Sequence, residues 1–366
     1  MSGMNIVEML FKAACPNNEI LYDKFGRPSL MVYIPKFKMN QVITNGSDRV
    51  HPAFIVNGIE RDGFYISKYQ NTDIDGVGYS LPMQVPCNEV DITLSYEMSA
   101  KKGRGWHLTT AQEWGAVALW CKRNGFLPHG NNDYGKDKRE VIFRASPVEC
   151  DEKGAKRVLT GTGPLTWSHD GTVAGIWDLN GNLSEWVGGI RFVYGELQVL
   201  PNNDGADILN SQDSDSDAWR AIDAETGEYI KPDGNGTTLG SIKADYRDEP
   251  FDVNNWGSRW VFTAKNPPSR ADKLRRCDMS FITCDETVRD AARELLIAYG
   301  LMFNEPYFDY KEQYAYLNNG LQEAYMYRGG YWGSGAFAGV FCWSCSWGRG
   351  HRYEGNGFRA SYIKLP

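Results

Sequence analysis

Along most of the chain, apolar positions come in short runs broken by Gly, Asn and Pro. That pattern predicts short strands joined by turns. Two stretches depart from it with helical spacing. In the first, Thr110-x-x-Glu113 would cap the start of AQEWGAVALWCKRN through reciprocal side chain–backbone bonds, and Gly125 closes it. In the second, Thr283-x-x-Glu286 precedes Val288, Ala292, Leu295, Leu296 and Tyr299 at helical spacing, with Gly300 after them. No long internal repeat is visible. These elements predict an α+β fold with few helices, short twisted antiparallel sheets and many loops.

Strand alternation sharpens the reading near the C-terminus. If Phe341 to Trp347 is extended, Phe341, Trp343 and Cys345 share one face, while Cys342, Ser344 and Ser346 share the other. The apolar set is expected in the core and the small polar set outside. The same alternation upstream sends Arg328, Gly330 and Trp332 inward, and Tyr327, Gly329, Tyr331 and Gly333 outward. Gly350 to Gly355 (GHRYEG) reads as a loop presenting His351, Arg352, Tyr353 and Glu354. The outward tyrosines and this loop would form one polar-aromatic binding face.

Composition supports a loop-rich frame carrying many rings. There are 12 Trp and 39 Gly in 366 residues, where average usage would give roughly 26 Gly. The formal charge of −7 disfavours a basic nucleic-acid-binding surface. No apolar run approaches the roughly 18 residues needed to span a bilayer. The N-terminus, MSGMNIVEMLFKAACPNNEI, lacks the layout of a signal peptide, so a host secretory route is not expected. Charge is uneven: Asp204 to Asp252 holds 13 acidic and 4 basic residues, a net of −9 that leaves +2 for the rest. This segment reads as a surface insertion with a hairpin around Glu225 to Glu228. Asp213-x-Asp215-x-Asp217 fails as an EF-hand loop, because Ala218 stands at its sixth position and Ala224 at its twelfth. It reads as a solvated acidic loop. The eight cysteines are too few for a disulfide scaffold and read mostly as small buried hydrophobes.

No phosphate-binding Gly-rich loop, HExxH or GxSxG motif occurs. Polar chemistry gathers in two segments. In Trp167 to Trp186, Asp178 and Glu185 flank an Asp-x-x-Gly-Asn turn. Their oxygens and nearby carbonyls would suit a Ca²⁺ shell, or equally a hydrogen-bonded turn. The second segment, Met326 to Tyr362, has ten aromatics, nine glycines, four Arg and no Lys or Asp. Rich in Tyr, Trp, Ser, Gly and Arg, it has the composition of a paratope, where rigid rings supply contact area at low entropy cost. Cys342-x-x-Cys345 without a second pair is weak evidence for zinc, and in a strand the two thiols would point apart.

Five motifs occur in an order that resembles the formylglycine-generating-enzyme/sulfatase-modifying-factor family, a variant of the C-type lectin fold. They are Phe64-Tyr65-Ile66-Ser67-Lys68-Tyr69, Gly105 to Trp114, Gly175 to Trp186, Arg328-Gly329-Gly330-Tyr331-Trp332 and Gly357-Phe358-Arg359. Met31 to Pro35 resembles that domain's opening strand. The resemblance implies a C-type-lectin-fold domain over residues 30–366, after an N-terminal extension of residues 1–29. It places an acidic insertion at about 195–270 and a variable region at about 326–359.

Within that family the C-terminal segment is most similar to the variable proteins of diversity-generating retroelements, which include phage tropism determinants. In those proteins Asn codons of a template repeat become NNY codons, which never encode Trp, Glu, Gln, Lys or Met. Tyr327, Tyr331, Gly333, Ser334, Phe337, Cys342, Ser344, Ser346, His351, Arg352 and Tyr353 fit that code, whereas Trp332 and Trp343 do not. The resemblance thus implies a variable ligand-binding set of those residues with Trp347 and Glu354, the last two being exposed but fixed or drawn from other template codons. The implied scaffold set is Arg328, Gly329, Gly330, Trp332, Trp343, Gly357, Phe358 and Arg359.

The expected function is non-catalytic recognition of a protein or glycan on a target cell surface. The expected carrier is a phage tail, or the cytoplasm of a lysogen, with the chain as a homo-oligomer and neither nucleic-acid binding nor membrane insertion. No cofactor is required on this reading. The family's structural Ca²⁺ site maps onto Asp178, Gly181, Leu183 and Glu185. The alternative is a copper-dependent cysteine oxidase using Cys342 and Cys345, but that activity uses a Cys-x4-Cys pair and this chain has Cys-x2-Cys. Sugar-binding C-type lectins resemble the chain in fold only, because their Glu-Pro-Asn and Trp-Asn-Asp motifs are absent.

Overall fold

The structure is a computed structural model and describes residues 6–141, 144–250, 256–267, 270–303 and 313–366. It is mixed α+β, with few helices and two main sheets. The smaller sheet runs Asn18–Tyr22, Pro28–Pro35, Gly63–Ser67, Ala360–Tyr362 and Trp106–Leu108, every neighbouring pair antiparallel. The last strand of the chain is thus clamped between two early ones, with Ser361 opposite both Ile66 and His107. Asn18–Tyr22, inside the segment expected as an extension, is an edge strand of this sheet.

The larger sheet follows the path Arg275–Asp278, Tyr314–Leu317, Gly339–Trp347, Ala324–Gly329, Ser184–Val193, Glu196–Val199, Lys243–Pro250, Trp256–Thr263 and Thr283–Cys284. Asn356–Phe358 adds in parallel to the Ser184–Val193 strand. The far end of the sheet curls back towards the Arg275–Asp278 strand: Tyr246, on Lys243–Pro250, donates to Arg276 O at 3.3 Å, and the Arg275 guanidinium lies 5.1 Å from the Tyr246 ring. Folding one edge toward the other limits the unpaired backbone available for association.

One helix is buried between the sheets. Ala111–Arg123 starts at the capping box read from sequence: Glu113 N–H donates to Thr110 Oγ1 and Thr110 N–H to Glu113 Oε2, both at 3.1 Å. It ends where Gly125, at φ +68°, donates to Lys122 O and Phe126 N–H to Cys121 O, a left-handed stop that glycine takes without strain. Trp114 and Val117 join the main core with Ile34 and Phe64 from one sheet and Ile190 and Phe341 from the other.

The second expected helix begins later than its sequence signal. Thr283–Cys284 is a strand paired in parallel with Trp256–Thr263, and the helix runs Asp290–Ala298. Sheet pairing claims Thr283, and Asp285 turns the chain by accepting from the Thr287 N–H and hydroxyl. Strand pairing overrode the local cap. A further helix, Ile92–Ala100, lies over a second small core of Val90, Met98, Trp186, Leu200, Trp219 and Phe358. Among the described residues no helix is long and apolar enough to cross a membrane.

The acidic segment corrects the reading of a surface insertion. Its hairpin forms as expected, with Ile222 opposite Tyr229, and Asp213, Asp215 and Asp217 are exposed. However, Leu197, Val199, Ile222, Ile242, Ala244, Trp260 and Phe262 are buried in the main core. Asp213, Asp215, Asp217, Asp223, Glu225 and Asp233 lie on loops between strands that complete the large sheet, while Asp245, Asp248 and Glu249 lie on the Lys243–Pro250 strand itself.

Candidate ligand surface and its scaffold

The Gly339–Trp347 strand is buried on both faces. Phe341, Trp343 and Cys345 are in the core as expected. Cys342, Ser344 and Ser346, expected outside, are also buried, at 5%, 5% and 4% exposure. The reason is cross-strand covering. Ser344 lies opposite Tyr316 on one neighbouring strand and Tyr327 on the other. Small side chains there let the flanking rings lean over them. Tyr327 is half-buried, lies opposite Ser344 in the ladder, and meets Trp186 edge-on at 5.1 Å. Tyr327 is therefore part of a packed face and not a free contact residue.

The exposed rim begins where that strand ends. Trp347 is 46% exposed and stacks on His351, ring centroids 4.4 Å apart and nearly parallel. Tyr353, 39% exposed, meets Tyr331 edge-on at 5.6 Å. Burial and a hydrogen bond to Tyr331 raise the pKa of the Tyr353 hydroxyl. Gly333 sits beside the Tyr331 ring and the Tyr134 hydroxyl, so a side chain there would enter this tyrosine group. Arg352 is exposed yet tethered: its Nε donates to Asp91 Oδ2 at 2.8 Å, while Asp91 Oδ1 caps Ile92–Ala100 by accepting from Leu94 N–H. Glu354 pairs with Lys156 at 3.1 Å, and its carbonyl accepts from Asn88. The loop is thus pinned from two sides by residues the sequence did not single out, Asp91 and Asn88–Lys156.

Two expected contact residues serve other ends. The Ser334 hydroxyl borders the rim but accepts from Tyr331 N–H at 3.0 Å, closing a turn. Phe337 packs against Tyr314 at 4.5 Å, beneath the Arg276 guanidinium at 4.6 Å. The structure therefore brings together Tyr331, Gly333, Tyr353 and Glu354, and beside them in the chain Trp347, His351 and Arg352. It withdraws Cys342, Ser344 and Ser346.

The scaffold residues are internal. Arg328 is fully buried and donates to the carbonyls of Tyr299 and Gly300, so a cation sits at the negative end of the Asp290–Ala298 helix. Gly329 and Gly330 follow at φ +86° and +77°, and a Cβ on Gly330 would lie 2.7 Å from the Ala338 side chain. That geometry requires glycine. Trp332 is 2% exposed, and Trp343 donates its ring N–H to Leu301 O. Gly357 leaves no room for a side chain against Leu183 and Cys87 O, and the Phe358 ring fills space beside Gly78.

The corner mapped as a Ca²⁺ site does converge, but on donors from the chain itself. Gln70 Nε2 lies 2.9 Å from Leu183 O, 3.0 Å from Glu185 Oε1, 3.3 Å from Asp178 O and 3.4 Å from Gly181 O. Arg359 makes a two-pronged pair with Glu185 at 2.5 and 2.6 Å and also donates to Asp178 O. Asp178 Oδ2 accepts from the Gly161 N–H at 3.3 Å while its Oδ1 is buried without a partner, and burial raises the pKa of this carboxyl to about 6. Gln70 is the functional-site residue that sequence reasoning missed. It directly follows the first motif, within an amide-rich run that has no period to reveal it.

No protein-family model matches the chain, and no curated protein matches it.

Proposed function

We propose that this chain is a ligand-binding protein of the diversity-generating-retroelement variable type, built on a C-type-lectin scaffold of the formylglycine-generating-enzyme variety. It recognises a protein or glycan on a target cell from a phage tail, as a homo-oligomer whose multivalency raises a modest per-site affinity. The observation that carries the reading is a division within one short segment. Arg328, Trp332, Trp343 and Arg359 are locked inside, while Trp347, Arg352 and Tyr353 are exposed between glycines. A rim of that kind accepts side-chain changes without refolding. Weighing against the oxidase alternative, Cys342 and Cys345 stand three residues apart on the Gly339–Trp347 strand, so their side chains leave it on opposite faces, with Cys345 in the main core. A pair facing apart does not converge on one metal ion.

The test is tolerance to randomisation. NNY codons at Tyr331, His351, Arg352 and Tyr353 are expected to give folded clones, each substitution costing about 0.5 kcal/mol or less where it acts as a surface change. The same codons at Cys342, Ser344 and Ser346 are expected to give mostly insoluble or early-melting clones. A thermal-melt screen of both libraries reads the contrast directly. Equal loss in both would sink the assignment of the rim as a display surface.

A further inference from the structure

We infer that Gln70 and Arg359 do, from within the chain, the work a calcium ion does at such a corner, and that the fold needs no divalent cation there. The inference does not depend on what the rim binds. It rests on four acceptors meeting one donor group. The carbonyls of Asp178, Gly181 and Leu183 and the Glu185 carboxylate all lie within 3.4 Å of Gln70 Nε2.

The orientation of that amide is fixed. Gln70 Oε1 accepts from Asn182 Nδ2 at 2.9 Å, and a flipped amide would set its oxygen against all four acceptors. The turn that aims the carbonyls is set by left-handed backbone and close packing. Asp178, Gly181 and Asn182 have φ of +62°, +76° and +61°, and a Cβ at Gly181 would fall 2.1 Å from Asn131 O.

The donor set also suits Ca²⁺ poorly. That ion takes six to eight oxygens at about 2.3–2.6 Å and favours several carboxylates. Here one carboxylate, Glu185, contacts the Gln70 amide, and it is already neutralised by a guanidinium that contacts both of its oxygens; the neighbouring Asp178 carboxyl is pushed by burial towards its neutral form. An ion among these acceptors would have to displace the Gln70 amide and would sit beside the Arg359 cation, a like charge in a dry interior. The amide satisfies the same carbonyls without adding charge.

The full chain is melted in excess EDTA and again in millimolar CaCl₂, and Tb³⁺ is titrated while luminescence sensitised through nearby Trp177 and Trp186 is followed. The expected result is coincident melting curves and no saturable luminescence. Gln70→Ala, which takes the amide from Gly181 O and Leu183 O and leaves Asp178 O and the Glu185 carboxylate to Arg359 alone, should melt well below the wild type in either buffer. A CaCl₂-dependent rise in the wild-type midpoint, or a saturable Tb³⁺ signal displaced by Ca²⁺, would overturn the inference. So would a Gln70→Ala protein that melts with the wild type. If that variant fails to fold, the wild-type comparison alone decides.

Discussion

Arg359→Met is expected to lose about 3–5 kcal/mol, because it leaves the Glu185 carboxylate buried without its charge partner. Both side chains are essentially inaccessible to water. The guanidinium also serves the carbonyls of Ser67, Trp177 and Asp178, so one substitution orphans acceptors from three stretches of chain. A loss of that size is a large share of the roughly 5–15 kcal/mol that holds a domain folded. Urea denaturation should therefore show a much lower midpoint. The double variant Arg359→Met with Glu185→Gln should recover part of the loss, since removing both charges is far less costly than stranding one. A single variant within about 1 kcal/mol of wild type would mean that the corner is not held by this pair.

Trp332→Ala should cost about 3–5 kcal/mol, the usual range for emptying a buried Trp site. The residue is 2% exposed and follows two glycines whose backbone no other residue adopts easily. Its immediate neighbour Tyr331 is partly exposed and belongs to the rim. Adjacent positions should thus behave oppositely: Tyr331→Ala should move the melting temperature little, while Trp332→Ala should collapse it. A stable, soluble Trp332→Ala protein would refute the division between scaffold and display that the proposed function requires.

Much of this architecture was legible where local chemistry and tertiary demand agree. The Thr110–Glu113 box and Gly125 mark a helix whose ends are satisfied locally, and the structure keeps both. The inward Trp and Arg positions were likewise readable, because large side chains on an alternating strand have one place to go. Legibility failed where a third element intervened. The Cys342–Ser344–Ser346 face looked solvent-facing on alternation alone, yet Tyr316 and Tyr327 cover it from strands that sequence does not pair. Ile92–Ala100 opens with the β-branched Ile92 and Thr93, which hide a helix whose one sequence signal is the Asp91 cap. The acidic segment misled in another way. Its charges dominate the composition, whereas Ile222, Ala224, Ile242 and Ala244, spaced among them, are buried in the core.

The most direct test of the central claim lies in the encoding locus. Sequencing it for a reverse transcriptase and a near-copy of the last stretch of the gene asks whether the rim is a diversified surface. The expected copy differs only at template adenines, with the differences falling on the codons for Tyr331, His351, Arg352 and Tyr353. A locus with neither the enzyme nor the copy would contradict the claim.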